Sequence, residues 1–289
     1  RAEALTHAKP LIREGAARSA LEGIVVPVKE EVDLDGQGYR LGRAIAARTD
    51  AVDATAVRKL RAAGAIVLGH TVMTEFGMSP LGTSTRRLLP RNAVRADCLA
   101  GGSSTGSAVA VATGLCPIAL GSDGGGSIRT PASYNGIFGI KPTFGRVSRT
   151  GDGFGGTVAH VGPLGASPRD LALFLEATSG EDKDDELTRG NPGFVPGWLE
   201  GSLRRGVRGL RIGVLEDEIA FASKETQRAC DDALRSLEHD GAELVKVALV
   251  NAKHAPAIGY VTISIEAFVS LKAAMEDDWA SLGPALPHL

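Results

Sequence analysis

The chain has 289 residues, 43% of them hydrophobic, and its 32 basic and 34 acidic side chains nearly balance at a formal charge of −2. That length supports one large domain with a sizeable core, or two small ones. No long basic stripe is present, which speaks against direct nucleic-acid binding, and no apolar run reaches the roughly 18–20 residues of a membrane helix.

Residues 1–22 are rich in Ala, Arg and Glu and read as helical, with Pro10 at a break or a start. Residues 23–29, GIVVPVK, read as an apolar strand with Lys29 at its C-terminal end. Residues 33–48 read as a loop. Asp50 or Asp53 then caps a helix running to Ala63, with Val52, Val57 and Leu60 on one face and Gly64 as the stop. Residues 65–69, AIVLG, form a buried strand, and His70 just after it reads as structural. A second helix–strand unit spans 104–121, and this alternation is that of an α/β fold.

Further on, Pro131 restarts a helix and residues 137–140 form a short strand. Ser167-Pro168-Arg169-Asp170 is a helix start, with a Ser cap, Pro at the first helical position and an acid in the first turn. Residues 179–206 are acidic and then rich in Gly and Pro, as suits a surface loop or linker. Strands at 210–215 and 242–249 flank a helix over 224–239 that ends at Gly241, and residues 260–275 read as helix. The arginines at 86–87, 204–205 and 58–61 read as solvated surface. Three widely spaced cysteines, Cys98, Cys116 and Cys230, suggest a reducing, cytoplasmic compartment with neither a disulfide frame nor a zinc cluster. Cys116 reads as a small core residue.

Residues 101–129, GGSSTGSAVAVATGLCPIALGSDGGGSIR, deliver two glycine-flanked serine turns from a single helix–strand unit. Glycine allows close backbone approach and positive φ, and consecutive N–H groups in such a turn can converge on developing negative charge. A serine hydroxyl needs a base within reach, and Lys29 is available on an apolar strand where burial favours its neutral form. Glycine-rich loops in an ordinary α/β core would leave the same pattern. Two other readings compete. Residues 102–106 also fit the G-x-S-x-G nucleophile elbow with Ser104 central, to be completed by an acid and by His160, His254 or His288. That elbow should follow an apolar strand, and residues 95–100 make a poor one. A phosphate-binding reading lacks G-x-x-x-x-G-K-[ST].

Val28-Lys29, the GGSS turn, the GGGSIRTP turn and Gly139-Ile140-Lys141-Pro142-Thr143 resemble the amidase signature family. Ser103 and Ser127 stand 24 positions apart, the separation that family shows between its bridging and nucleophilic serines. The likeness runs from about Gly23 to Thr178 and more weakly to about Ala267, and residues 160–164 resemble the family's second signature. It implies an α/β fold with a mixed β-sheet core covered by helices on both faces. It also implies hydrolysis of a carboxylic amide by a Ser–cis-Ser–Lys triad through an acyl-enzyme, releasing ammonia or an amine, with no cofactor and no metal. Ser127 would be the nucleophile, Ser103 the bridge behind a cis peptide eased by Gly102, and Lys29 the base. The backbone N–H groups of Gly124, Gly125, Gly126 and Ser127 would form the oxyanion hole, braced by an Asp123–Arg129 pair. Met73, Ser104 and Ser122 would be the substrate-binding residues, Met73 lining the acyl pocket, Ser104 also capping the next helix and Ser122 hydrogen-bonding near the site.

Glu30 and Glu31 follow the lysine where the family has Asp-Asn or similar. Glu30 would point away from Lys29, whereas Glu31 would share its face on a continuing strand, and an ion pair would hold the lysine charged. The expected partner is a small-molecule amide, with no direct nucleic-acid or membrane contact, and a homodimer is an allowed assembly. Alternatives are a glutaminase-type subunit of a tRNA-dependent amidotransferase, which needs partner subunits, or an amidase-like interaction domain without catalysis. Residues 1–289 are expected to be a single amidase-signature domain, incomplete at the C-terminus and perhaps the N-terminus. A native polypeptide mass near 29.9 kDa would contradict that.

Overall fold

The computed structural model describes residues 2–38, 40–43, 50–84, 87–153 and 156–276. The chain divides into two compact units, one of Arg1–Leu199 with Tyr260–Leu289 and one of Glu200–Gly259.

The first unit runs through α1 (Ala2–Arg13), β1 (Val25–Lys29), α2 (Thr55–Ala62), β2 (Ile66–Thr71), α3 (Thr105–Ala112), β3 (Ile118–Ser122), α4 (Arg129–Tyr134), β4 (Phe138–Gly139), β5 (Val161–Gly165) and α5 (Pro168–Thr178). Its sheet has the order β2-β1-β3-β5-β4. β1 pairs in parallel with β2 and β3, and β5 is antiparallel to β3 and β4, so the sheet is mixed. Strand alternation sends side chains to two faces. Val26, Val28, Ile118 and Leu120 pack with Val57 and Leu60 of α2 and Phe174 of α5. Ala119 and Leu164 pack on the other face with Ala108 and Val111 of α3 and Ala132 of α4. Helices thus cover both faces, as expected. β1 and β3 lie inside this sandwich, which is why they read as nearly unbroken apolar runs.

Several local expectations change. The first helix stops at Arg13 with Pro10 inside it, well short of residue 22. The N-cap of α2 is Ala54, with no side-chain cap. Asp53 instead receives the Arg61 guanidinium at 2.7 Å and the Asp35 N–H at 2.9 Å, a tertiary use that outcompetes capping. The loop expected over 33–48 includes residues outside those described. In α5 the Ser167 hydroxyl does cap, accepting the Asp170 N–H at 3.2 Å. Part of the 179–206 stretch is firmly tied: Asp182 and Thr188 are buried, and the Ser148 hydroxyl donates to Asp182 at 2.6 Å. A short helix, α6 (Trp198–Ser202), spans the division between the units.

The second unit contains β6 (Arg211–Val214), α7 (Glu216–Ala220), α8 (Lys224–His239) and β7 (Glu243–Lys246), with β6 parallel to β7. Parallel neighbours need a crossover, and the two helices supply it. The last helix, α9 (Ala255–Glu276), passes from the second unit back into the first. Among the described residues no helix is long and apolar enough to cross a membrane, and no His/Cys/Asp/Glu group is placed to hold a metal ion.

Candidate active site

Lys29 ends β1 at the point where the sheet meets the first turn of α3, and its side chain is 1% exposed. Its Nζ donates to Ser103 Oγ at 2.8 Å and to Ser122 Oγ at 2.7 Å, and lies 2.5 Å from Glu31 Oε2. Ser122, the last residue of β3, donates onward to the same Glu31 oxygen at 2.7 Å. β1 does not continue past Lys29; the turn that follows brings Glu31 onto the lysine's side, while Glu30 faces away. Buried Glu30 receives Arg87 Nη1 at 2.7 Å and the Met73 N–H at 3.0 Å. Arg87, read from sequence as solvated, is thus the counter-charge of a buried carboxylate. A cation this far from water needs its donors satisfied, and Lys29 has three acceptors for three N–H groups.

The Gly102–Ser103 peptide is cis. Gly102 is required there by packing, since a Cβ would come 2.6 Å from the Ser79 carbonyl oxygen. The second serine turn lies between β3 and α4 and is shaped by Asp123. That buried carboxylate accepts the N–H groups of Gly126 at 2.8 Å, Ile128 at 3.1 Å and Arg129 at 3.3 Å. It also accepts Arg129 Nε at 3.0 Å and Nη2 at 2.8 Å. Burial alone would raise the Asp123 carboxyl, but hydrogen bonds and charge from Arg129, with the Gly126 and Ile128 N–H groups, hold it below the usual carboxylate range. The Gly126 N–H, expected to be one of four oxyanion donors, is instead committed to Asp123.

The two serine turns are joined by a hydrogen bond from the Ser104 N–H to the Ser127 carbonyl at 3.2 Å. Ser127 lines the same small cavity as Lys29, Glu31, Ser103 and Ser122. The residues expected to act together are therefore brought together. Ser104 occupies the N-cap position of α3 without capping it. Its side chain is fully buried and its hydroxyl donates to the Ser122 carbonyl at 3.2 Å, so it braces β3 instead. Met73 is buried one step from the site: a Cβ on Gly77 would lie 3.5 Å from the Met73 methyl and 3.4 Å from Ser103 Oγ.

Of the histidines an elbow reading would draw on, His160 Nδ1 faces the Val158 carbonyl at 2.7 Å and Nε2 faces Lys141 Nζ at 3.2 Å. Burial, then the Lys141 charge, pushes the His160 imidazole below its ordinary range. His254 belongs to the second unit, and His288 lies outside the described residues. His70 is structural, with Nε2 2.8 Å from the Val32 carbonyl. Sequence reasoning missed the Arg87–Glu30 pair and the contribution of Ile263 from α9 to the cavity wall. Nothing local to either stretch announces a partner more than 50 positions away.

The sequence model of the Amidase family matches residues 1–285. The chain belongs to the Amidase family. Within it, the chain is 39% identical over 256 residues to a glutamyl-tRNA(Gln) amidotransferase subunit of Akkermansia muciniphila, an alignment covering 88% of this chain and 54% of that one. The peptide amidase of Stenotrophomonas maltophilia superimposes with a TM-score of 0.83 at 30% identity, over 98% of this chain and 58% of that one. A bacterial aryl acylamidase of the amidase signature family gives 0.85 at 28%, over 99% and 61%. The chain spans about half the length of the curated relatives it matches.

Proposed function

We propose that this protein hydrolyses a carboxylic amide through an acyl-enzyme on Ser127, with both units parts of one amidase-signature domain. The observation that carries the reading is the 2.8 Å approach of Lys29 Nζ to Ser103 Oγ in the cavity that Ser127 lines. Lys29 first passes one proton to Glu31 Oε2, 2.5 Å away, and so becomes the neutral amine. Ser127 Oγ then attacks the carbonyl carbon, its proton passes to Ser103, and the Ser103 proton passes to the Lys29 lone pair. The tetrahedral oxyanion is held by the N–H groups of Gly124, Gly125 and Ser127, each such donor being worth ~3 kcal/mol in the transition state. Collapse breaks the C–N bond, and the proton returns along the relay to the departing nitrogen. Water then repeats the sequence on the ester and releases the acid. Side chains and backbone carry every step, so the scheme requires neither metal nor organic cofactor.

A small-molecule amide is the substrate favoured by the peptide amidase and aryl acylamidase neighbours. The amidotransferase relatives favour a second reading, a glutaminase-type subunit working with partner chains. The deciding experiment treats the protein with a fluorophosphonate and maps the label. Label on Ser127 that is lost in Lys29→Ala supports the relay. Label on Ser104 restores the elbow reading, and no label on folded protein favours an interaction domain. Ammonia release from glutamine by the isolated chain, in preference to simple amides, would favour the second reading.

A further inference from the structure

The nucleophile cavity has an apolar wall that comes from far along the chain. Ile263 of α9 lines it, and its Cδ1 would lie 2.8 Å from a Cβ placed on Gly124. Gly124 is therefore a glycine at the contact point between the nucleophile turn and α9. The helix is latched there: Glu266, three residues on, accepts the Thr157 N–H at 2.9 Å and the Thr157 hydroxyl with its other oxygen. Gly156 leaves room for that carboxylate, since a Cβ would stand 2.6 Å from Glu266 Oε2. Ile263 and Glu266 share a helix face, so fixing one aims the other.

The cavity is about 10 Å³, room for roughly one water. Its polar side is fixed by Lys29, Glu31, Ser103 and Ser122, whose hydrogen bonds close on one another. The leaving nitrogen must receive its proton from Ser103 and so faces that side. The group attached to the carbonyl carbon is left to meet the apolar part of the lining, of which Ile263 is the largest side chain.

We propose that Ile263, held in place by the Glu266–Thr157 latch, sets the size of acyl group this site accepts, and that its substrates are amides of short acyl chains. The inference rests on the nucleophile assignment made above and adds the substrate class. Ile263 is the residue that determines specificity, and Glu266 is a positioning residue.

The test uses the full-length protein and fluorophosphonates bearing methyl, butyl or octyl on phosphorus, with the rate of Ser127 labelling as the readout. The wild type is expected to react more slowly as the chain lengthens. Ile263→Ala is expected to raise the octyl-to-methyl ratio of labelling rates at least about tenfold, the discrimination a few methylene groups can supply. Glu266→Gln is expected to loosen the chain-length dependence in the same direction with the methyl rate preserved, which a merely destabilising change would not do. Identical chain-length profiles in wild type and Ile263→Ala overturn the proposal while leaving the nucleophile standing. Absence of label on Ser127 in both proteins with every reagent removes the nucleophile assignment, and the proposal with it.

Discussion

Lys29 and Glu31 form a buried pair, 1% and 5% exposed, with Ser122 hydrogen-bonded to both. Removing one member of such a pair leaves an uncompensated charge out of water, at a cost of about 3–5 kcal/mol. Glu31→Gln is therefore expected to lower the stability measured by urea unfolding by roughly 3 kcal/mol. Lys29→Met combined with Glu31→Gln should cost clearly less than the two single changes added together; simple additivity would show that the pair is not coupled. Asp123 gives a pH prediction. Its carboxyl is depressed in the fold, so its contribution is fully present above the ordinary carboxylate range and fades as pH falls through that range towards the folded value. The stability difference between wild type and Asp123→Asn should accordingly be constant near neutrality and shrink below about pH 4. A difference that grew in acid would contradict the assignment of Arg129 and the turn N–H groups as its stabilisers.

Among the elements, α3 and β3 do most to build the site, because they deliver Ser103, Ser122 and the start of the Ser127 turn. The first turn of α3 sits hard against the chain after β2: the Gly106 N–H donates to the Val72 carbonyl at 2.9 Å, and a Cβ at Gly106 would lie 2.7 Å from that oxygen. Helix propensity alone would favour alanine at this position. Tertiary crowding reverses the sign, and Gly106→Ala is expected to destabilise by about 1–3 kcal/mol, as overpacked sites do. An alanine variant as stable as wild type, by thermal or urea unfolding, would show that α3 can back away from Val72. Gly106 lies three residues after Ser103, so labelling of Ser127 should slow in the same variant.

For the whole molecule, the three cysteines offer a readout of which surfaces are closed. Cys98 is exposed, whereas Cys116 is buried between α3 and β3, and burial pushes its thiol up to about 11. At pH 8 iodoacetamide is expected to modify Cys98 in the folded protein and to reach Cys116 only in denaturant, since the thiolate is the reactive form. Modification of both at equal rates without denaturant would mean that the α3–β3 layer opens readily. Mass spectrometry of the alkylated peptides distinguishes the two.

Much of this site was legible in the sequence because its determinants are local. Glycine-flanked serine turns, a lysine at the end of an apolar strand and a capped start to α5 are each written within a few consecutive residues, where steric and hydrogen-bonding rules act directly. The alternation of helix and strand likewise reports an α/β fold, whereas the mixed sheet was implied by the family resemblance and not by the alternation. Tertiary structure alone decided the rest. Asp53 left its helix cap for Arg61, Ser104 left its cap for the Ser122 carbonyl, and Arg87 left solvent for Glu30. Asp53 is taken by an exposed arginine on that same helix, whereas for Ser104 and Arg87 the partner sits in a buried setting, where a hydrogen bond or charge pair counts for more. The same holds for Ile263, whose place over Gly124 depends on where α9 docks. Local sequence sets the turns that carry Ser103 and Ser127 and the strand that carries Lys29, while the walls around them depend on packing between segments more than a hundred residues apart.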